Sequence, residues 1–317
     1  MVLPVTATQD APPSCDVRAL RQEVEQRLAE LLPEAGGERD LIALAMREST
    51  LAPGKRVRPL LLVLTARDLG YDDPSLLDLA CAVEMVHAAS LVLDDMPCMD
   101  NARLRRGRPT IHLHFGEDVA ILTAVALLTR AFHLVSSLSS VPPLLRTQLV
   151  GGLANAVGTQ GLVKGQYQDL REGTRARSAD EIASTNDLKT SVLFSATIDM
   201  AAIIAQADES VRVTLGSFAS ELGQAFQLLD DLRDTRDNDT ATTGKDICKD
   251  EGKSTLIALL GVEAAHRRLG MHLHHADAHL SRALGDRQDT RAFVRALFDA
   301  AMIPAVQRTT VLTGAAG

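Results

Sequence analysis

Between residues 216 and 236, Ser220, Gln224, Gln227, Asp231 and Asp234 recur at steps of four, three, four and three. That is the period of one face of an α-helix. Phe218, Leu222, Ala225, Leu229 and Leu232 keep a similar step on a second face. A strand would turn alternate residues to opposite sides, so neither stripe would survive in a sheet. The rest of the chain follows suit. Proline and glycine divide it into long stretches with no strand alternation, and Ala, Leu, Glu, Arg and Gln dominate them, which favours helix. The spacing predicts helices over 16–33, 38–50, 57–69, 75–96, 117–139, 143–171, 179–206, 209–236, 253–285 and 288–305. No linker rich in Gly, Ser or Pro interrupts the middle, and no fixed-period repeat occurs. The expectation is an all-α, single-domain helical bundle of about ten or more helices over 16–305, with flexible tails at 1–15 and 306–317.

A chain of 317 residues, 46% hydrophobic and 23% charged, is enough for a sizeable core. Its net charge of −8 argues against a nucleic-acid partner, which calls for a basic face. The positive charge is local, at Lys55, Arg56 and Arg58 and again at Arg103, Arg105, Arg106 and Arg108, as suits a small anionic ligand. Cys15, Cys81, Cys98 and Cys248 form no CxxC pair and read as free thiols of a reducing, cytoplasmic protein. The first fourteen residues lack the layout of a signal peptide. The longest apolar run, Val119 to Leu128 with Thr123 inside it, is half the roughly twenty residues a bilayer span needs, so no transmembrane segment is expected.

Two acidic clusters carry the chemistry. Asp94, Asp95 and Asp100 follow an apolar helical run, and Pro97 ends or distorts that helix so that Asp100 folds back toward the pair. Adjacent carboxylates raise one another's pKa unless a cation neutralises them. Taken alone, this cluster fits a solvated helix end as well as a metal site. Asp230, Asp231 and Asp234 crowd one turn of a second helix, at a cost of a few tenths of a kcal/mol per pair. Accepting that repulsion twice is most simply explained by Mg²⁺ shared between the clusters and a diphosphate, because carboxylate oxygens are hard ligands.

Gly54-Lys55-Arg56-Val57-Arg58-Pro59 opens a helix and offers an anion site. Arg105-Arg106-Gly107 follows the first acidic cluster, and Lys189-Thr190, Lys245 and Lys253 come later. Singly, Arg56, Arg103 and Arg108 read as surface charge. Lys55, Arg58, Arg105 and Arg106 together do not. His87 lies two helical turns before Asp94, about 10 Å along the axis. It fits a core histidine taken alone, or a hydrogen-bond donor to a second anion. His272, His274 and His275 do not share one helix face and read as an exposed polar surface rather than a metal site.

In order along the chain stand Gly54–Pro59, Asp94-Asp95-x-x-x-x-Asp100 with Arg105-Arg106-Gly107, Gly165-Gln166-x-x-Asp169, Lys189-Thr190, Gln227 with Asp230-Asp231-x-x-Asp234, and Gly252-Lys253-Ser254. Over residues 40–262 the chain resembles the trans-prenyl diphosphate synthases, and most of all the bacterial geranylgeranyl diphosphate synthases that feed carotenoid pathways. The resemblance implies an all-α fold around a deep central cavity, a homodimer, and three Mg²⁺ ions bridging the aspartates and an allylic diphosphate. It implies metal ligation by Asp94, Asp95, Asp100, Asp230 and Asp234, with Asp231 beside them. Arg105, Lys189 and Lys253 would hold the allylic diphosphate (dimethylallyl, geranyl or farnesyl), and Lys55, Arg58, His87 and Arg106 the isopentenyl diphosphate. Thr190 and Gln227 would turn oxygens toward the carbocation. Asn101 departs from close relatives, which often carry Asp there, and Asp237 and Asp239 extend the loop after the second motif.

Product length should follow from the floor of the pocket. Ala89, five residues before Asp94, is small where relatives that stop at fifteen carbons tend to carry an aromatic, and Ser90 beside it is also small. The expected product is therefore the C20 chain, with C15 or C25 as the alternatives. A terpene cyclase would line its pocket with aromatics, but this chain has no Trp, two Tyr and seven Phe. A non-catalytic subunit would be expected to lose one acidic motif.

Overall fold

The computed structural model describes residues 15–172, 178–234 and 256–302. Lys245, Lys253, Asp237, Asp239, Cys248 and, apart from Cys15, both expected tails lie outside them, as does the side chain of Asp234. The helices are α1 (Val17–Leu31), α2 (Leu41–Leu51), α3 (Val57–Asp68), α4 (Ser75–Asp94), α5 (Ile111–Phe115), α6 (Glu117–Ser136), α7 (Pro143–Val157), α8 (Leu162–Glu172), α9 (Ala179–Asn186), α10 (Val192–Ile204), α11 (Glu209–Asp234), α12 (Leu256–Leu260), α13 (Val262–Leu284) and α14 (Asp289–Met302). The all-α expectation holds.

At the centre lies α4. It is apolar nearly all round, with Leu76, Leu79, Ala82, Val83, Met85 and Ala89 wholly buried, and it packs against α3, α6, α1 and α2. Such a helix belongs inside a bundle. Helix α10, equally apolar, packs on α3, α7 and α11, while α13 covers α11 with a stripe of Leu269, Ala276, Leu280 and Leu284. Two helix starts are capped by their own side chains. The Asp16 carboxylate accepts from the Arg18 and Ala19 amides, and Ser178 with Glu181 forms a reciprocal capping box. Buried Asp68, at the end of α3, accepts from the Thr290 amide at 2.8 Å and so holds the first turn of α14.

Several features differ from the sequence expectation. The single helix expected over 143–171 is two, because Gly158 ends α7 and Gly161 passes so close to Ala156 that a Cβ there would lie 2.0 Å from its carbonyl oxygen. Gly261 likewise parts α12 from α13. Leu104–Arg105 and Arg108–Pro109 pair antiparallel as a small hairpin, too short to show alternation; its turn residues, Arg106 and Gly107, have φ of 54° and 77°. Finally, α4 and α6 are both long and apolar enough to cross a membrane by length and composition, since scattered polar residues do not prevent it. Two thirds of the apolar window in α4 is buried inside the protein, against 44% in α6.

Candidate active site

Helix α4 stops at Asp94, and the chain then turns back on itself. The Asp100 amide donates to the Asp94 carbonyl at 2.9 Å, the Asn101 amide to Met96 at 2.9 Å and the Ala102 amide to Asp95 at 3.1 Å. Asn101 takes a positive φ of 49°, which asparagine tolerates better than most residues. Asp100 is thereby returned to the helix end, as its spacing from Pro97 suggested.

The two carboxylates of the first pair part company. Asp94 lines a cavity of about 300 Å³ together with Val86, Ser90, Leu128, Gln166 and Lys189. Its carboxyl is pushed up to about 6, chiefly by burial and further by Asp100 and Asp95, against the pull of Lys189 and Arg105. Asp95 is only 4% exposed, and Arg105 clasps it through Nε at 3.1 Å from both oxygens. Asp95 was expected to ligate metal and Arg105 to hold a phosphate; here each answers the other's charge. Asp95 is not among the residues that line this cavity.

Across the cavity, α9 runs into α10 through a π-helical turn, Asp187–Ser191. Such turns push side chains outward and recur at functional sites. Two glycines permit it. A Cβ on Gly165 of α8 would lie 2.5 Å from the Lys189 backbone nitrogen, and one on Gly223 of α11 would lie 2.2 Å from Ser191 Oγ. The turn carries Lys189, whose Nζ donates to Asp169 at 2.7 Å. Burial works against its charge, but Asp169, Asp94 and Asp100 outweigh burial and hold its pKa above the ordinary lysine value. Thr190 Oγ1 donates to Gln227 Oε1 at 2.9 Å, and Gln227 Nε2 donates to Asp231 at 2.7 Å. With its proton directed at Gln227, the Thr190 oxygen keeps its lone pairs for an electron-poor neighbour.

Asp231, also expected as a metal ligand, is 7% exposed and engaged by Gln227. Asp230 is the open member of its pair, with a side chain 51% exposed and 3.8 Å from Arg233. Asp94 thus borders the cavity and Asp230 is half exposed, while Asp95 and Asp231 are each engaged by a neighbouring side chain.

The second basic group gathers around His87. Burial above all, then Arg58, Arg106, Arg105 and Arg56, hold its imidazole well below its ordinary value, so it is neutral. Arg58 lies over the Phe194 ring at 4.3 Å. The Arg106 guanidinium donates to the Ala52 carbonyl at 3.3 Å and packs on Gly54, where a Cβ would sit 2.8 Å from it. Lys55 is exposed at the loop before α3. Arg56 is not the surface charge its sequence suggested: it is buried and paired with buried Glu84 at 2.7 Å, a partner 28 residues away that no local pattern reveals. Arg103 and Arg108 are exposed, as expected.

Of the two floor residues, Ser90 lines the cavity and turns its hydroxyl back onto the His87 carbonyl at 2.9 Å. Ala89 lies wholly in the packed core beside it. Sequence reasoning did not single out Val86 and Leu128, which also line the cavity; the period of α4 places Val86 two turns below Asp94.

The family model for polyprenyl synthetase matches residues 39–294. The chain is 55% identical to a geranylgeranyl diphosphate synthase from Pantoea ananas, over 88% of this chain and 92% of that protein. It is 52% identical to one from Pseudescherichia vulneris, over 90% and 92%. Its fold is similar to that of a geranyltransferase from Helicobacter pylori solved with magnesium and isoprenyl diphosphate, with a TM-score of 0.83 at 26% identity over 92% of this chain and the whole of that one.

Proposed function

Because this chain belongs to the polyprenyl synthetase family, we propose that it condenses isopentenyl diphosphate with an allylic diphosphate (dimethylallyl, geranyl or farnesyl) to make geranylgeranyl diphosphate. One observation carries the reading: a single cavity joins a charged end, formed by Asp94 and Lys189, to an apolar end formed by Val86, Leu128, Val157 and Leu162. A molecule with a phosphorylated head and a hydrocarbon tail matches both ends.

The donor set fits Mg²⁺. Asp94, Asp100 and Asp230 supply hard oxygens, and the raised pKa of Asp94 marks a carboxyl that a cation would relieve. Among the described residues no three acidic, histidine or cysteine groups are gathered tightly enough to hold a metal alone. The ion would rely on substrate phosphate oxygens, as Mg²⁺ commonly does. When bound, it would supply Lewis-acid stabilisation of the departing diphosphate. Lys189, fixed by Asp169, adds positive charge at the same end. Arg58, Arg106 and neutral His87 orient the isopentenyl diphosphate, and Lys55 lies at the loop leading to them. The apolar wall keeps water from the allylic cation, and the oxygens of Thr190 and Gln227 face its charge. The released diphosphate takes the final proton.

The outer face of α6, where Ile121, Leu122 and Val125 are 47–55% exposed next to exposed Leu113 on α5, is apolar surface that a second copy of the chain would cover. We read the enzyme as a homodimer. The described cysteines, Cys15, Cys81 and Cys98, are free, in keeping with a cytoplasmic setting.

The test is direct. Purified protein is given labelled isopentenyl diphosphate with each of the C5, C10 and C15 allylic partners, with Mg²⁺ or with a chelator, and the products are sized. A C20 product that disappears with the chelator is expected. Turnover that survives the chelator, or no condensation with any partner, overturns the reading.

A further inference from the structure

The motif Gly165-Gln166-x-x-Asp169 has a clear task at two of its positions: Gly165 admits the Lys189 backbone and Asp169 holds its ammonium. Gln166 has none among the described residues. Both Nε2 and Oε1 are buried, and neither has a hydrogen-bond partner among the described residues. Gln224 and Gln227 on α11 are satisfied, by Asp187 at 2.6 Å and Asp231 at 2.7 Å, and Gln168, whose Oε1 is also unpartnered, does not line the cavity. A buried amide with nothing to bond is destabilising, and buried polar groups nearly always find partners. Gln166 lines the same cavity as Asp94 and Lys189, and it precedes Asp169 by three residues, so the two share a face of α8. It therefore stands at the charged end of the cavity, not at its floor.

We propose that Gln166 contacts the substrate: its Nε2 donates to a diphosphate oxygen of the allylic partner beside Lys189, and its Oε1 accepts from a water held with that group. The assignment rests on the proposed function and adds one residue to its binding machinery. In the empty protein this amide contributes nothing to the fold.

The test uses the full chain carrying Gln166→Leu, of similar volume but without polar atoms, and Gln166→Glu. Unfolding temperature is measured without substrate. Binding of geranyl thiolodiphosphate with Mg²⁺ is measured by calorimetry, and KM is measured for each substrate. Gln166→Leu should fold with an unchanged or higher unfolding temperature. It should weaken binding of the analogue, and raise KM for geranyl diphosphate, by about tenfold or more, the scale of a hydrogen bond to a charged group. KM for isopentenyl diphosphate should stay within about twofold, since that substrate's groups lie around His87. Gln166→Glu should bind the analogue more weakly still, because a carboxylate would face the diphosphate. The proposal is overturned if Gln166→Leu loses several degrees of stability or fails to fold, or if both KM values shift alike. Unchanged analogue binding overturns it as well. Failure of the wild-type protein to condense any pair would instead strike at the proposed function.

Discussion

Asp94 and Asp95 are neighbours in the chain, yet their surroundings give them different work. Asp95 is paired with Arg105, while Asp94 opens on the cavity with a carboxyl raised to about 6. In the folded protein Asp94 therefore holds a proton that the unfolded chain, with an ordinary aspartate, releases near 4. The sign follows. As pH rises through 4 to 6, this group withdraws stability from the metal-free protein, and a cation restores it. Binding of Mg²⁺ must displace that proton below pH 6, so apparent Mg²⁺ affinity should fall by up to about tenfold per pH unit there. Calorimetry with the inert analogue at pH 7, 6 and 5 would check this, and a flat profile would contradict it. Ser90 makes a second case. Ser90→Phe should fill the cavity wall and shift the product to C15, as product chromatography would show. Ala89→Phe, placed in packed core, should instead lower stability by about 1–3 kcal/mol from overpacking. Equal product shifts without loss of stability would return the floor to Ala89.

The element that organises the charged end is the π-helical turn Asp187–Ser191, which exists because α8 and α11 approach it through glycines. Gly223→Ala would set a methyl against Ser191, costing about 1–3 kcal/mol and moving Lys189 and Thr190 with the turn. Both a lower unfolding temperature and a lower kcat are expected, and an unchanged kcat would show that the turn does not need that contact. Such a turn was not legible beforehand: Lys189-Thr190 stood out as a motif, but the sequence read through it as one helix. The long helices were legible because Pro143 and the 3.6-residue stripe of 216–236 are local signals. The break at Gly158–Gly161 was not, since glycine inside a helical pattern is tolerated in many helices. Nor could the chain reveal that Asp95 and Asp231 turn inward, or that Arg56 is buried, because Arg105, Gln227 and Glu84 meet them only after folding.

At the scale of the whole molecule, α6 has two opposed duties. Ala120, Ala124, Leu127 and Ala131 pack inward, largely against α4, while Ile121, Leu122 and Val125 point out. If a second copy covers that outer face, Leu122→Glu should raise the dimer dissociation constant by about two orders of magnitude, the effect of losing a buried interface anchor. Light scattering across a dilution series would measure it, and an unaltered mass profile would place the interface elsewhere. Because Leu128 on the same helix lines the cavity, the monomeric variant should also lose some control over product length.

Asp68 and Thr290 are separated by 222 residues of chain, yet one hydrogen bond joins them in the interior. Asp68 belongs to the helix whose opening turn presents Arg58, and Phe298, on the same helix as Thr290, meets Phe226, which stacks on the ring beneath Arg58. A ribosome making this protein must therefore deliver the chain as far as α14 before α3 reaches its final setting. Competence for chemistry waits on α14, which serves as the keystone.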